Sequence, residues 1–256
     1  AAMRYDIQTG NRLLLGEIDG QFIGTDDNRH MLTIAGSRAG KGVSAIIPNL
    51  LTYRGSALVI DPKGENARWT ARRRAEDMRQ KVFILDPFSV PLAAKLFQTG
   101  KFKRASFNPL SILAPDSETL VADAGLISDA LVIAAGSDPH WDDSARNLIQ
   151  GLILHVATYP KYEKRRNLVT VRELIRQGIE EPGGDEKEKG MHVLYAEMQE
   201  NAAADGVIAA AGAEMAERPD NEGGSVLSNA RRHTQFLDMR QMQNVLRGHD
   251  FDLAKL

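Results

Sequence analysis

A glycine-rich stretch at residues 35–46, AGSRAGKGVSAI, contains the residue types that bind phosphate groups. In a phosphate-binding loop, consecutive backbone N–H groups leading into a helix point into one concavity and meet the negative charge. Gly36 and Gly40 allow the tight turn, and Lys41 is placed to reach the terminal phosphates of a nucleotide. The stretch therefore predicts a nucleotide site. The alternative is an ordinary glycine-rich turn, because short motifs also arise by chance.

Two positions of the loop depart from the usual pattern. Ala35 stands where the first glycine is expected, which a negative φ angle tolerates. Gly42 stands where a serine or threonine hydroxyl normally coordinates Mg²⁺. Ser44 does not replace that hydroxyl, because it lies two residues further on, about 200° around a helix. We therefore expect Mg²⁺ to be bound weakly or through water.

Hydrolysis also requires a carboxylate at a strand end to hold Mg²⁺ and a neighbouring glutamate to polarise water. Apolar runs end at Asp61 in LVID and at Asp86 in FILD, but a proline follows each and neither has an adjacent glutamate. Both aspartates are equally typical of turns at strand ends. No apolar run in the sequence ends in Asp-Glu. These residues predict nucleotide binding with weak or absent hydrolysis by this chain alone.

The elements that position these residues alternate between strands and helices in the first half of the chain. Three continuous apolar runs, typical of strands buried on both faces, lie at residues 31–36, 56–61 and 81–86. The stretches 41–51 and 65–80 between them are long enough for crossover helices. Pro48 is expected to kink or shorten the first helix, because it has no N–H group. The pattern predicts an α/β fold with a doubly wound parallel sheet.

The second half is predicted to be all-helical, since strand patterns fade after Pro115. Helices are expected at 117–134, 141–158, from Thr170, and at 190–203, 205–217, 225–236 and 238–247. Thr170 and Glu173 match a capping box, and Ser225 is a candidate N-cap. Residues 1–114 carry 17 Lys and Arg against 10 Asp and Glu, whereas residues 115–256 carry 15 against 24. A domain boundary near residue 115 explains this asymmetry.

Composition excludes several kinds of site. The chain has no cysteine, which rules out disulfides, thiol catalysis and cysteine-based metal sites. Its six histidines form no pair with ligand spacing, so no metal cluster is predicted. No apolar run approaches the roughly 20 residues that span a bilayer, and the N-terminal residues lack signal-peptide features. The chain is therefore expected to be soluble.

Six stretches, in order along the chain, resemble the type IV secretion coupling proteins, the TraG/TraD-like ATPases of conjugative DNA transfer. They are AGSRAGKGVSAIIPNLL, GSALVIDPKGEN, KVFILDPF, FNPL, HWDDSARNLIQGLIL and VLSNARRHTQFL. The resemblance extends from about residue 20 to the C-terminus. It implies an incomplete RecA-like nucleotide-binding domain at 1–114 and an all-α domain at 115–256. In this family glycine is a usual residue after the loop lysine, so Gly42 fits a working site.

The resemblance also implies roles for individual residues. Lys41 would contact the β and γ phosphates as the catalytic residue, with ATP and Mg²⁺ as the cofactors. The nucleotide-binding residues would be Ser37, Arg38, Ala39, Gly40, Lys41, Gly42, Val43, Asp61, Lys63 and Glu65. The last three would line the pocket from the next strand end. The alternative for Lys63 and Glu65 is a surface ion pair.

Family members act as hexamers on the cytoplasmic side of the bacterial inner membrane. The resemblance implies relaxase or effector proteins as cargo of the acidic helical domain, DNA as a partner of the basic half, and secretion channel components. The basic clusters at 71–75 and 101–104 would contact DNA or form a solvated surface. Asp142 and Asp143 favour a first helical turn, and Trp141 is predicted to be core. Members usually carry membrane helices and a downstream Asp-Glu strand, so a truncated or shortened relative is expected.

Two other functions stay open at this point. One is a non-catalytic cargo-recruitment module, in which the incomplete nucleotide half serves as a scaffold. The other is a nucleic-acid-binding protein that uses no nucleotide, for which binding should weaken with salt because phosphate contacts release counterions.

Overall fold

The computed structural model of the chain describes residues 3–4, 12–27, 29–133, 139–178 and 187–255. These residues form two compact units: one contains the residues up to Ala105 and those from Phe251 on, and the other contains Ser106–Asp250. The domain limits 1–114 and 115–256, predicted from charge and pattern, stay a prediction. Within the described ranges, no helix is long and apolar enough to cross a bilayer.

The first unit contains a small antiparallel sheet. Its strands are β1 (Met3–Arg4), β2 (Leu13–Ile18) and β3 (Gln21–Thr25), with β3 in the middle. Asp19 and Gly20 connect β2 to β3 with φ angles of 49° and 73°. Two successive left-handed residues make the tight turn that suits strand twist, which explains the Asp-Gly pair. The predicted elements did not include this hairpin, although the Asp-Gly pair is a signal for it.

The predicted parallel sheet is absent from the described part of the chain. The apolar runs at 31–36, 56–61 and 81–86 are not strands, apart from one parallel bridge between Ile84 and Arg104. Leu32 and Ile34 are 82% and 85% exposed, and Ile60 is 83% exposed. A continuous apolar run suits a strand only where neighbouring strands take up its backbone groups and cover both faces. The described residues supply no such neighbours, so the prediction is wrong here.

Three short helices complete the first unit: α1 (Ile47–Thr52), α2 (Glu65–Arg72) and α3 (Pro91–Phe97). A wide helical turn at Gly42–Ile46 precedes α1, and the Ile47 N–H donates to the Gly42 carbonyl. Pro48 then lies in the first turn of α1, where its missing N–H costs little. The first predicted helix is thus split ahead of Pro48. Ala71, Ile84 and Leu96 form the small core of this unit.

The second unit is entirely helical, as predicted. Its helices are α4 (Leu120–Leu131), α5 (Pro139–Thr158), α6 (Leu168–Gln177), α7 (Lys187–Gln199), α8 (Val207–Glu217), α9 (Asp220–His233) and α10 (Arg240–Leu246). The central helix is α5, which packs against α4, α6, α8 and α9. The predicted apolar stripe of α5 is confirmed as core: Ala145, Leu148, Ile149, Leu152, Ile153 and Val156 are all at most 2% exposed.

Two predicted helix starts are wrong. The N-cap of α6 is Asn167, whose Oδ1 accepts the Thr170 N–H at 3.1 Å, and the Thr170 hydroxyl donates to the Arg165 carbonyl instead. Asparagine is as good an N-cap as threonine, so the capping-box pattern did not decide the start. Ser225 lies inside α9, and its hydroxyl donates to the Asn221 carbonyl. Most of the predicted polar loop at 180–190 lies outside the described residues.

The two ends of the helical unit lie side by side. The Ser106 N–H donates to Asp250 Oδ2 at 2.6 Å, and the Asp250 N–H donates to the Ser106 carbonyl at 2.9 Å. The Phe107 N–H donates to the Val245 carbonyl, and the ring of Phe107 lies 5.6 Å from that of His249. The unit therefore closes on itself where the chain enters and leaves it.

A buried arginine joins α6 to the segment after α9. Arg172 forms a bidentate pair with Asp238, with Nε to Oδ1 at 2.9 Å and Nη2 to Oδ2 at 2.5 Å. Its Nη1 donates to the Arg231 carbonyl and to Thr234 Oγ1. The hydrogen bonds from Arg172 hold the pKa of Asp238 below its usual range, despite partial burial. Every side of the guanidinium thus has an acceptor.

A second polar network lies between α5 and α7. His155 is fully buried, its Nε2 lies 3.0 Å from Glu197 Oε1, and Asn201 Nδ2 lies 3.1 Å from its Nδ1. An amide nitrogen only donates, so Nδ1 accepts and Nε2 carries the proton toward Glu197. Tyr162 and Lys161 also donate to Glu197, both at 2.6 Å. The network therefore holds a neutral histidine against a carboxylate.

Glycines set the spacing at which α8 packs. A Cβ at Gly212 would lie 2.8 Å from the Tyr195 carbonyl oxygen and 2.9 Å from Met198 Cβ, both on α7. A Cβ at Gly151 of α5 would lie 2.7 Å from Ala211 Cβ on α8. Each glycine is thus required by a close approach of two helices.

Gly212→Ala is expected to lower the free energy of unfolding by about 1–2 kcal/mol, because crowding against backbone outweighs the gain in helix propensity. Gly224→Ala is the matched control, since it lies in α9 with nothing within 4 Å of its Cβ position. That variant should raise stability by about 0.5–1 kcal/mol. Urea unfolding of both variants measures the difference, and equal effects would contradict the packing argument.

Candidate nucleotide-binding loop

The glycine-rich loop forms a set of turns between residue 36 and the helix that follows. Arg38 and Gly40 have φ angles of 62° and 83°. The Ala39 N–H donates to the Gly36 carbonyl at 3.3 Å, and the Ser44 N–H donates to the Gly40 carbonyl at 2.9 Å. Gly40 adopts the left-handed conformation without a steric cost, because it has no Cβ. The same conformation at Arg38 costs about 1–2 kcal/mol. A non-glycine residue in this conformation is typical of functional loops.

The Lys41 ammonium group folds back over the loop. Its Nζ donates to the carbonyl oxygens of Ala35 at 2.7 Å and Gly36 at 2.9 Å. A Cβ at Gly40 or Gly42 would meet nothing within 4 Å, so the backbone there is open. A cation held over an open, glycine-lined backbone has the chemistry that an anion such as a phosphate requires.

The loop offers little to a metal ion. Gly42 has no side chain, and the Ser44 hydroxyl donates to the Gly40 carbonyl at 2.8 Å. This hydroxyl therefore hydrogen-bonds within its own helical turn. The expectation that Ser44 does not replace the usual metal ligand stays a prediction. Throughout the described ranges, no three His, Asp or Glu side chains come together as a metal site.

Asn49 holds α1, the helix after the Lys41 loop, against the antiparallel sheet. The sequence analysis did not predict this role. Its Oδ1 accepts the Leu14 N–H at 2.7 Å, and its Nδ2 donates to the Leu14 carbonyl at 2.9 Å and to the Ala45 carbonyl at 2.8 Å. Leu14 lies on β2, an edge strand whose outer backbone groups need partners. One amide side chain therefore continues the sheet onto the helix that follows Lys41.

Arg74 anchors the other end of the same helix. It is 8% exposed, and it donates to the carbonyls of Leu50, Tyr53 and Gly55 at 2.7 to 3.0 Å. Burial lowers its pKa from the usual value. The Leu50 carbonyl lies in the last turn of α1 and those of Tyr53 and Gly55 follow it, where a cation offsets unpaired acceptors. Arg74 is thus structural, and its buried guanidinium is not part of the exposed basic surface.

The rest of the basic clusters is largely paired. Arg72 and Arg73 bind Glu76 and Asp77 at 2.8 and 2.9 Å, one helical turn away. Lys101 also donates to Glu76, and these hydrogen bonds lower the pKa of that carboxyl. These exposed ion pairs match the alternative that the basic clusters form a solvated surface. Such pairs contribute little to stability in water.

Asp61 caps the start of α2. Its Oδ2 accepts the Ala67 N–H at 2.9 Å, and its carbonyl accepts the Gly64 N–H at 3.1 Å. Gly64 has a φ of 71°, and a Cβ there would lie 2.9 Å from the Ala93 nitrogen. The DPKGE stretch therefore forms a turn that requires its glycine. Asp61 forms part of this turn, which is the alternative to a metal-binding carboxylate considered in the sequence analysis.

Lys63 and Glu65 are exposed, and the described part of the chain shows no ion pair between them. In the same part, no hydrogen bond or ion pair connects Asp61, Lys63 or Glu65 with the Lys41 loop. Their place in a common pocket with Ser37–Val43 stays a prediction.

Asp86 is 4% exposed and also forms a turn. Its Oδ1 accepts the Val90 N–H at 3.0 Å at the start of α3, and Arg104 Nε lies 3.8 Å from its Oδ2. The Arg104 guanidinium also donates to Ser89 and lies 5.0 Å from the Phe97 ring centre. The carboxylates of both aspartates thus accept a backbone N–H group at the start of the next helix.

Asp142 connects two of the six stretches on which the resemblance rests. It lies in the first turn of α5, is 3% exposed, and its Oδ1 accepts from Arg232 Nη2 and His233 Nε2, both at 2.8 Å. Asp142 therefore joins the start of α5 to the end of α9. Trp141 beside it is half-buried against the core, as predicted.

Residues 4–256 match the family model described as Type IV secretory system Conjugative DNA transfer, and the chain belongs to this family. It is 32% identical to a conjugal transfer protein TraG of Escherichia coli over 79% of this chain and 30% of that protein. A second Escherichia coli TraG is 30% identical over 89% of this chain and 34% of its own length.

The coupling protein VirD4 of Bartonella henselae is 30% identical over 58% of this chain and 22% of its own length. The chain thus spans about a third of the length of the TraG proteins it matches. The chain is thus related to the TraG and VirD4 proteins of this family.

Proposed function

We propose that this chain is the nucleotide-binding and cargo-recruiting part of a type IV secretion coupling protein. The observation that carries the proposal is the Lys41 ammonium group, held at 2.7 and 2.9 Å by two carbonyls of an open glycine loop. Backbone N–H groups of Ser37–Val43 would bind the phosphates of ATP, and Lys41 would contact the β and γ phosphates. Asp61, Lys63 and Glu65 would line this pocket.

Bound Mg²⁺ would supply charge neutralisation at the phosphates. Because Gly42 has no hydroxyl, we expect the metal to be held through water and hydrolysis by this chain alone to be slow. By analogy with the family, the protein would act at the cytoplasmic side of the inner membrane as a hexamer. Its acidic helical unit would recruit relaxase or effector proteins to the secretion channel, and its basic half would contact DNA.

Lys41→Ala is expected to weaken ATP binding by about 10- to 100-fold, because charge-assisted hydrogen bonds to phosphate are lost. Lys95→Ala, an exposed lysine on α3, is the matched control and should bind ATP like the native chain. Equilibrium titration with a fluorescent ATP analogue measures both. Equal affinity of native and Lys41→Ala chains would refute the nucleotide site.

A non-catalytic recruitment module is the second candidate. It is favoured by the structural roles of Asp61 and Asp86, whose carboxylates accept the Ala67 and Val90 N–H groups at helix starts. If native and Lys41→Ala chains bind ATP equally while the native chain still retains its purified cognate relaxase, this second function holds and the first fails.

A further inference from the structure

Asn49 connects the helix after the Lys41 loop to one backbone position of the antiparallel sheet. Its Oδ1 accepts the Leu14 N–H at 2.7 Å, and its Nδ2 donates to the Leu14 carbonyl at 2.9 Å. The backbone groups decide the orientation of the amide, because an N–H group only donates and a carbonyl only accepts. The side chain of Asn49 thus pairs with Leu14 as a neighbouring strand would, and the two hydrogen bonds fix both distance and direction.

Strand β2 is irregular at the same place. Its pairing register against β3 shifts between Leu14 and Gly16, so Leu15 is an extra residue in the strand. Such a bulge bends a strand, increases its twist and is common beside functional sites. The backbone groups of Leu14 that Asn49 binds lie on the open edge of the sheet. The bulge and the amide therefore meet at one point of this edge.

The third hydrogen bond of Asn49 reaches the turn that follows Lys41. Its Nδ2 also donates to the Ala45 carbonyl at 2.8 Å, inside the wide helical turn Gly42–Ile46. Wide turns of this kind are frequent at functional sites. Residues 31–39, which precede Lys41, are all exposed. The position of Lys41 therefore depends on the helical turn behind it and, through Asn49, on the sheet.

We propose that Asn49 is a positioning residue of the nucleotide site, which holds Lys41 in the place where it binds phosphate. The inference rests on the nucleotide-binding function proposed above. The hydrogen bonds of the Asn49 amide go to three backbone groups, so its side chain acts on the nucleotide through Lys41 rather than by touching it. Without the amide, the loop would populate several arrangements, and the apparent affinity for nucleotide would fall in proportion to the population of the binding one.

The first test is Asn49→Ala, measured by equilibrium titration of the full chain with a fluorescent ATP analogue. Binding is expected to weaken about 5- to 10-fold, because the three hydrogen bonds that order the loop are lost. A double-mutant cycle with Lys41→Ala distinguishes positioning from a general weakening of the unit. In the Lys41→Ala background, Asn49→Ala should lower the affinity by less than about 2-fold, because Asn49 acts through Lys41. Equal losses in both backgrounds would overturn the inference.

Asn49→Asp provides a pH profile that a merely structural role would not produce. The charged carboxylate still accepts the Leu14 N–H, but its other oxygen faces the Leu14 and Ala45 carbonyls, so binding should weaken about 10-fold near about pH 8. Protonation turns that oxygen into an O–H donor, and the two carbonyls favour this form. Affinity relative to the native chain should therefore recover as pH falls from about 8 to about 5, whereas Asn49→Ala should not recover.

Asn244→Asp is the matched control, because Asn244 is an exposed asparagine on α10. It should follow the native chain at every pH. An Asn49→Asp chain whose affinity ratio to the native chain does not change with pH would contradict the positioning role. Urea unfolding of each variant identifies those that are folded during the titration, and Asn49→Asp carries the test if Asn49→Ala does not fold.

The outcomes separate this inference from the proposed function. Lys41-dependent binding of the ATP analogue that is unchanged in Asn49→Ala and Asn49→Asp would overturn the positioning role and keep the nucleotide site. Equal binding by native and Lys41→Ala chains would refute the nucleotide site and the positioning role with it.

Discussion

Arg172→Ala is expected to lower the free energy of unfolding by about 2–3 kcal/mol. The side chain of Arg172 is 8% exposed, and its loss leaves Asp238, the Arg231 carbonyl and Thr234 Oγ1 without their donor. The Thr234 hydroxyl stays buried without this donor, whereas Asp238 is 38% exposed and regains water, so the loss is smaller than for a fully buried ion pair. Urea unfolding monitored by circular dichroism measures the change.

Arg176→Ala is the matched control, because Arg176 lies one turn further along α6 and is exposed. It should change stability by less than about 0.5 kcal/mol. In a double-mutant cycle, Asp238→Ala should cost much less in the Arg172→Ala background than in the native chain. Additive losses would show that Arg172 does not act through Asp238.

Glu197→Ala is expected to lower the free energy of unfolding by about 2–3 kcal/mol. Glu197 Oε1 accepts from the Tyr162 hydroxyl and from His155 Nε2. Its Oε2 accepts from Lys161 Nζ. Tyr162 and His155 are fully buried, so their donors would lose their acceptor without gaining full access to water. Glu197→Gln keeps an acceptor oxygen and should lose less, and Glu200→Ala, which is exposed, should lose almost nothing.

The same network predicts acid sensitivity in two steps. Burial lowers the pKa of His155 below its ordinary 6.5, against the opposing effect of Glu197. As pH falls below about 6.5, the unfolded chain therefore takes up a proton that the folded chain refuses, and stability decreases. Burial raises the pKa of Glu197, but hydrogen bonds from Lys161, Tyr162 and His155 leave it below its ordinary 4.5, so a second loss follows below about pH 4.5.

His155→Gln should remove the first step and keep the second. Unfolding measured from about pH 7.5 down to about pH 3 separates them. A native chain whose stability is flat between about pH 6.5 and 5, or a His155→Gln chain with an unchanged profile, would contradict the neutral, buried histidine.

The helices of the second unit were predictable because the spacing of apolar residues within each segment is enough to indicate a helix and its buried face. The stripe of α5 recurs every three to four residues, and all six predicted residues are core. The loop with Lys41 was found from residue types alone, and Pro48 marked the change in its helix. Caps were harder, because Asn167 and Thr170 are both good N-cap residues and only packing decides between them.

The parts that the sequence did not predict depend on distant partners. An apolar run such as 56–61 indicates that its residues suit burial. It does not indicate which strands would cover them. Arg74 has the same charge as Arg72 and Arg73, and only the fold turns it toward the carbonyls after α1. Asn49 likewise gains its role from Leu14, 35 residues earlier.

The closure of the helical unit between Ser106 and Asp250 bears on how such a protein is built. Residues 106 and 250, where the chain enters and leaves the helical unit, are hydrogen-bonded neighbours. The flanking chain therefore needs to bridge only the short distance that a surface turn would bridge. A unit of this kind can lengthen, diverge or be exchanged between relatives while the flanking chain keeps its course. If the unit carries the proposed cargo recruitment, cargo preference would change among relatives without altering the proposed nucleotide loop.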